Sequence, residues 1–496
     1  MNRKYSELFI LFLALFTCQY LAEKKCAEKF IIVMDAGSTG SRVYVYKYDE
    51  KHPLETIVEV AHMRVHPALS TFVNNSAGLT LQIEELVDFA MVSTPSISWS
   101  STSICLKATA GLRSLNDIDQ NFLISVTAAV LQTSVFSFDE HNTKVISGEE
   151  EALFDILAVT ALFQSYKEGF ITLGAADMGG SSQQIAFLFS QNVNVSHIEP
   201  KRVWGIRGEN FTTKMKYDIG ASDVLLEPSE PKISKTCTSD WQISIPGTSE
   251  VVEIYSKSLD FMGVIGAMDT ALSEFYSNKS SSLHSPARLT EGINVETAIE
   301  NNDGNITSEQ NFETCTSAST GVCESLLHPC LPDGSFPTVP GLIGYQQPFY
   351  GHGDFDRCHQ LLRDIMVPLA QRTVSLECIK QYRPKVMIGM DNFPKVLEVL
   401  GIPQGVSVAP LEIRRLATIA CRRPWEDILA EYPTFMPYRA QRACFAASYV
   451  YTILVDVYGI EEDDKEAFIP VDTVGEHELS WALGAAVFSA MNLEIL

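Results

Sequence analysis

Two short stretches carry residue types at a spacing that suits phosphate chemistry. Residues 35–42 read DAGSTGSR and residues 177–184 read DMGGSSQQ, each an aspartate followed by a turn of small and hydroxyl-bearing residues. A tight hairpin of that composition turns several backbone N–H groups toward one point, which makes an anion site. Gly37, Ser38, Thr39 and Gly40 of the first turn and Gly179, Gly180 and Ser181 of the second are therefore candidate phosphate binders, with Arg42 just beyond. Ser38 and Ser181 add hydroxyl donors. Asp35 and Asp177 are placed to hold a divalent cation through its waters, and their oxygens suit Mg²⁺ or Ca²⁺.

The flanking residues say what must position these turns. Residues 30–34 (FIIVM) form an apolar run of the buried-strand type directly before Asp35, and residues 169–176 (GFITLGAA) do the same before Asp177. A second strand follows each turn, at residues 43–48 and 185–189. Aspartate alone forms turns routinely; two copies with matched flanks predict a duplicated α/β domain whose two phosphate loops face each other. Between the copies, residues 106–115 (LKATAGLRSL) hold a small-residue turn ahead of Arg113. Residues 145–160 (VISGEEEALFDILAVT) carry three glutamates and then apolar residues at helical spacing. Glu149 and Glu150 read as an ordinary acidic first helical turn, favoured by the helix dipole. The apolar stretch 476–490 predicts a terminal helix that docks back on the first lobe.

Composition bounds the possibilities. The chain has 496 residues, 46% of them hydrophobic, with room for several domains' worth of core. A formal net charge of −24 argues against a nucleic-acid partner, whose footprint is basic. Residues 8–16 (LFILFLALF) behind Arg3 and Lys4 match a signal-peptide core and are too short for a mature bilayer span. Cleavage after Ala22 is the expectation, with Tyr20 bulky for the preferred pattern and an uncleaved anchor as the competing reading. No later segment reaches spanning length, so no stable membrane span is expected in the mature chain. Of eleven cysteines, loss of Cys18 leaves ten: Cys26, Cys105, Cys237, Cys315, Cys323, Cys330, Cys358, Cys378, Cys421 and Cys444. In an exported chain that even number predicts up to five disulfides. Sequons begin at Asn74, Asn194, Asn210, Asn278 and Asn305 and are candidate glycan sites. These features place the protein outside the cell or in the lumen of a secretory compartment. No histidine sits in a metal-ligand pattern, and neither a Gly-x-Ser-x-Gly elbow nor a P-loop occurs.

Five blocks taken together, 35–42, 108–113, 146–151, 177–184 and 480–484, resemble the ectonucleoside triphosphate diphosphohydrolase (apyrase) family. Smaller matches lie at 328–332 (HPCLP), 350–354 (YGHGD) and 444–449 (CFAASY), so the resemblance runs from about residue 30 to the C-terminus. It implies two actin-like, ribonuclease-H-like α/β lobes with the active site in the cleft between them. The expected division is a signal peptide at 1–22, a first lobe of 27–160 plus 466–496, and a second lobe of 161–465. The implied activity is divalent-cation-dependent hydrolysis of nucleoside tri- and diphosphates, without a covalent intermediate. By the same resemblance Glu151 is the general base and Ser182 and Gln184 orient the attacking water. Thr109 and Arg113 belong to the site, Arg113 as a phosphate binder or as a bridge between elements, and Trp481 lies near the metal. Phe393 and Tyr449 fall where the family stacks the nucleobase, which implies tolerance of purine and pyrimidine alike.

The chain departs from the family pattern at Ala152, Ile156 and the run Ser181-Ser182-Gln183-Gln184. Two competing readings are a related actin-like phosphotransferase or exopolyphosphatase, and a secreted nucleotide-binding protein with a weak site. The cysteines and leader weigh against a cytoplasmic kinase. The intact Asp35, Glu151, Asp177, Ser182 and Gln184 set weighs against a decayed site.

Overall fold

A computed structural model describes residues 28–163, 173–189, 237–244, 251–282, 327–335, 350–431, 437–475 and 477–495. The leader with Cys18, and also Cys26, Cys315, Cys323, and the sequons at Asn194, Asn210 and Asn305, lie outside the described residues, as does the side chain of Asn278. Asn74 is exposed.

The apolar run at 30–34 is the middle of β1 (Glu28–Ala36), which turns into antiparallel β2 (Ser41–Asp49) and then β3 (Val58–Val65). β4 (Ser103–Ala108) lies parallel to β1 on its other side, and β5 (Ser137–Phe138) and β6 (Lys144–Val145) add short parallel pairings to β4. The sheet order is β3-β2-β1-β4-β5.

The second sheet repeats the plan. β7 (Leu173–Met178) forms a hairpin with β8 (Ser182–Leu188), and β8 pairs with β10 (Val251–Asp260), whose outer neighbour is β9 (Trp241–Ser244). A separate two-residue pair joins β11 (Leu327–His328) to β12 (Tyr350–Gly351). On the far side of β7 come parallel β13 (Val386–Asp391) and β14 (Phe468–Pro470). The order β10-β8-β7-β13-β14 matches the first sheet strand for strand. These are the two ribonuclease-H-like halves of an actin-like α/β fold. In each half the key aspartate is the last residue but one of the first strand, Asp35 in β1 and Asp177 in β7.

One face of the first sheet is covered by α1 (Ser76–Ser93) and α2 (Asp117–Gln132), whose N-termini are capped by the side chains of Asn75 and Asn116. α3 (Gly148–Phe163) is buried over six consecutive residues, Glu151 to Ile156, because it lies in a core shared by both sheets. The departures Ala152 and Ile156 are part of that core. The second sheet's outer core is built from α4 (Val264–Ser282), α5 (Phe355–Gln371), α6 (Asn392–Val399), α7 (Pro410–Arg422) and α8 (Pro437–Thr452). Finally α9 (Trp481–Ala490) packs on α3 and β1. The approach is so close that a Cβ on Gly484 would fall 1.7 Å from the Phe154 carbonyl oxygen. Among the described residues no helix is long and apolar enough to cross a membrane.

Two expectations need correction. The segment 466–496 does not return wholly to the first lobe: β14 pairs with β13, and Glu494–Ile495 pairs with β9, both in the second sheet. The return is made by Glu478, which is bonded to Tyr44 and Glu59, and by α9, whose apolar surface fits the inter-sheet core. The expectation of ten bridged cysteines also fails. Disulfides join Cys237 to Cys378, Cys330 to Cys358 and Cys421 to Cys444, but Cys105 is a free thiol in the middle of β4. An even count carries no information about which residues the sheet brings together.

Candidate active site

The two turns close in the same way. Gly37 N–H donates to the Gly40 carbonyl at 3.1 Å, and Gly179 N–H donates to the Ser182 carbonyl at 2.9 Å. They face each other directly: a Cβ on Gly180 would meet Ser38 Oγ at 2.7 Å. Each turn is backed by a glycine from another element. A Cβ on Gly111 would lie 2.7 Å from Ser38 Cα, and one on Gly263 would lie 2.5 Å from the Ser181 nitrogen. Backbone packed on backbone at that distance leaves no room for a side chain.

Between the turns lies a polar cleft. From the first turn it is lined by Asp35, Gly37, Ser38, Thr39 and Arg42, and from the second by Asp177, Gly179, Gly180, Ser181 and Ser182. Thr109, Glu151 and Trp481 complete the predicted set on its wall. Thr109 N–H donates to the Ala36 carbonyl at 3.1 Å, which ties the next loop to the end of β1. Trp481 stacks on Phe154, one turn from Glu151, with ring centroids 6.4 Å apart.

Glu151 is 5% exposed and is held from two sides. Arg113 Nη1 donates to Glu151 Oε2 at 2.8 Å, and Gln184 Nε2 donates to the same oxygen at 3.2 Å. Arg113 Nη2 and Gln184 Nε2 also reach Ser182 Oγ, at 3.1 and 2.9 Å. Oε1 of Glu151 takes no part in this web. Burial raises the Glu151 carboxyl to about 7, against the opposing pull of Arg113. Arg113 and Gln184 stand behind the cleft wall, and Arg113 is a bridge between lobes, linking α3, β8 and Asp260 of β10. Gly40 serves the hairpin, where a Cβ would meet the Val65 carbonyl oxygen at 2.7 Å.

The carboxylates are the other feature. Arg42 Nη1 donates to Asp35 Oδ2 at 2.9 Å, while Asp35 Oδ1 is buried without a partner. Burial, partly offset by Arg42, raises the Asp35 carboxyl to about 6. Asp177 Oδ1 is likewise buried and unpartnered, and burial followed by Asp391 pushes that carboxyl up. Two orphaned carboxylate oxygens on a polar cleft fit a hard cation with its water shell.

Sequence reasoning missed Asp155, Asp391, Asp472 and Glu478. The last three line the cleft, with Lys395 Nζ bonded to Asp391 Oδ1 at 2.8 Å and Tyr44 Oη donating to Glu478 at 3.1 Å. They arrive from β13 and from the loops after β14, so no local pattern joins them to the turns. Asp155 had a readable signal, a single acid one helical turn after Glu151 in an otherwise apolar stretch.

Phe393 and Tyr449 require a correction. Both have no exposed surface and sit in the outer core of the second lobe. Phe393 packs edge-on against Phe468, and Tyr449 stacks on Phe445 and donates to Gln183 Oε1 at 3.2 Å. A ring with no exposed face cannot stack on a nucleobase. Aromatic residues in apolar helices are indistinguishable in sequence from a stacking pair until packing is known.

Comparison with known proteins agrees with this arrangement. A model described as GDA1/CD39 (nucleoside phosphatase) family matches residues 21–221 and 289–495. A protein named probable apyrase 3 of Arabidopsis thaliana is 25% identical over 95% of this chain and 84% of its own length. The guanosine-diphosphatase of Saccharomyces cerevisiae is 29% identical over 56% of this chain and 61% of its own. Among solved structures, nucleoside triphosphate hydrolases from Neospora caninum share the fold at a TM-score of 0.59 and 12% identity, covering 97% of this chain and 96% of theirs.

Proposed function

Because the chain belongs to the GDA1/CD39 (nucleoside phosphatase) family, and so is a nucleoside phosphate hydrolase, we propose that it removes the terminal phosphate from nucleoside tri- and diphosphates by direct attack of a water activated by Glu151. The names of its relatives, apyrase and guanosine-diphosphatase, support that substrate class. The observation that carries the mechanism is the position of Glu151: a buried carboxylate on the cleft wall, clamped through one oxygen by Arg113 and Gln184.

The geometry supports the following roles. The facing turns receive the phosphate oxygens on backbone N–H groups and on the hydroxyls of Ser38 and Ser181. Glu151 uses its unclamped oxygen to accept a proton from the water, while Ser182, held from behind by Gln184, fixes the water's orientation. The water oxygen bonds to the terminal phosphorus as the bridging P–O bond breaks, and the shortened nucleotide leaves with the bridging oxygen and its electron pair. Asp35 and Asp177 would hold a Mg²⁺ or Ca²⁺ ion, which would neutralise charge on the phosphates. Burial of the clamp keeps bulk water from competing. The actin-like lobes divide the work, with 27–160 and α9 carrying the first turn and the remainder carrying the second.

Three disulfides among the described residues support folding in an oxidising compartment, in line with the leader at 1–22. The test is phosphate release from a panel of nucleoside tri-, di- and monophosphates, with and without EDTA. Release from tri- and diphosphates that stops with chelator is the expected result. Full activity in excess EDTA overturns the cation assignment, and release from monophosphates alone overturns the substrate class.

A further inference from the structure

Asp155 is a buried carboxylate that the mechanism above leaves unused. It follows Glu151 by four residues on α3, so it projects from the same face one turn along. It is 1% exposed, and neither of its carboxylate oxygens has a hydrogen-bond partner. Its carboxyl lies within hydrogen-bonding reach of Asp177. The charged groups that bear on it, Asp177, Glu151 and Asp391, are all acidic. A buried carboxylate without a cation or donor is strongly unfavourable, and natural proteins pair such groups. Near Asp177 the cationic group is Lys395, but its ammonium is bonded to Asp391 at the end of the neighbouring strand β13.

Asp177 lines the cleft, and Asp155, which does not reach the cleft, is buried beside it. The arrangement is what a divalent ion requires: a facing carboxylate for its water shell, and a second negative charge in a low-dielectric layer beneath. Resting on the cation reading above, we propose that Asp155 is a positioning residue of the cation site, which acts through Asp177 and whose charge is balanced by the bound ion. The ion offsets the repulsion between the two aspartates, and the pair in turn raises the site's affinity for a divalent over a monovalent cation. Asp155 touches no phosphate and no attacking water.

The experiment is calorimetric titration of Mg²⁺, and separately of Ca²⁺, into the protein saturated with a non-hydrolysable nucleoside triphosphate analogue. Wild type, Asp155→Asn and Asp177→Asn are compared, with melting temperatures measured in cation-free buffer and at saturating cation. Asparagine keeps the shape of Asp155 and removes its charge. Asp155→Asn is expected to bind either ion about tenfold more weakly, to melt no lower than wild type without cation, and to gain less on adding it. Unchanged or tighter ion binding by Asp155→Asn, with wild type binding normally and Asp177→Asn defective, overturns the proposal and leaves the cation site intact. Absence of ion uptake by the wild type overturns the cation reading itself. A variant that melts lower in cation-free buffer yet binds the ion normally shows Asp155 to be structural only, which also overturns the proposal.

Discussion

Arg113 spans the cleft from behind, with Nη1 on Glu151 Oε2 at 2.8 Å and Nη2 on Ser182 Oγ at 3.1 Å. One guanidinium therefore sets both the base and the hydroxyl beside it, and couples α3 of the inter-sheet core to the start of β8. Its planar fork is what allows two fixed bonds in two directions.

Replacing that fork has a defined signature. In Arg113→Met the buried Glu151 loses its only guanidinium, so its carboxyl rises further and the acidic limb of the pH–rate profile moves to higher pH. Breaking a buried pair of this kind costs about 3–5 kcal/mol, so thermal unfolding should fall as well. Arg113→Lys, able to satisfy one partner at a time, should fall between the two. An unmoved acidic limb in Arg113→Met would show that Glu151 does not govern it.

Glu151→Gln keeps the size and the hydrogen bonds of the side chain but cannot accept a proton. Loss of a positioned general base lowers rate by about 10²–10⁴-fold, and binding of a non-hydrolysable analogue should persist. Near-normal kcat would transfer the role to another group and sink the assignment.

The pH dependence follows from the same residue. With its carboxyl raised to about 7, Glu151 is increasingly in the basic form as pH climbs from 6 to 8, and kcat/KM should climb with it. Stability runs the opposite way. The folded chain holds protons on Glu151 and Asp35 that the unfolded chain, with ordinary values of 4.5 and 3.8, has released. Stabilisation present at low pH is thus lost as pH rises from about 4 to about 7 in cation-free buffer. Denaturant midpoints at pH 5 and 7.5 without cation check the sign.

Gly484→Ala places a methyl where the Phe154 carbonyl oxygen already lies, 1.7 Å away. The two central helices must separate, at a cost of about 1–3 kcal/mol for overpacking, and Glu151 moves with α3. Loss of activity together with a lower melting temperature is the expected outcome. A wild-type melting curve would falsify the close helix contact.

Cys105 should be titratable by thiol reagent only after denaturation, since it sits in the middle strand region between β1 and β5. Burial also pushes its thiol up, which slows reaction in the native state. Cys105→Ala should lower the thiol count after denaturation by one; an unchanged count would show that Cys105 is not a free thiol.

Much of this protein was legible along the chain because its signals are local. Apolar residues before Asp35 and Asp177, small residues after them, and the acidic entry to α3 each specify a strand, a turn or a helix start within about ten residues. Their repetition implied two lobes and a cleft, and the resemblance of the five blocks to a known family implied phosphoanhydride hydrolysis. What the chain alone could not determine depends on contacts between segments distant in sequence. The path of the C-terminal segment was decided by which sheet edge had open hydrogen-bonding groups, and Cys105 was left unpaired by the register of β4. Phe393 and Tyr449 were drawn into the core because burying an aromatic ring is worth more than exposing it. Glu151 acquired its clamp from Arg113 and Gln184, and Asp155 came to face Asp177, only when two lobes packed α3 between them. Charge, burial and reach are properties of that packing, and no spacing along the sequence encodes them.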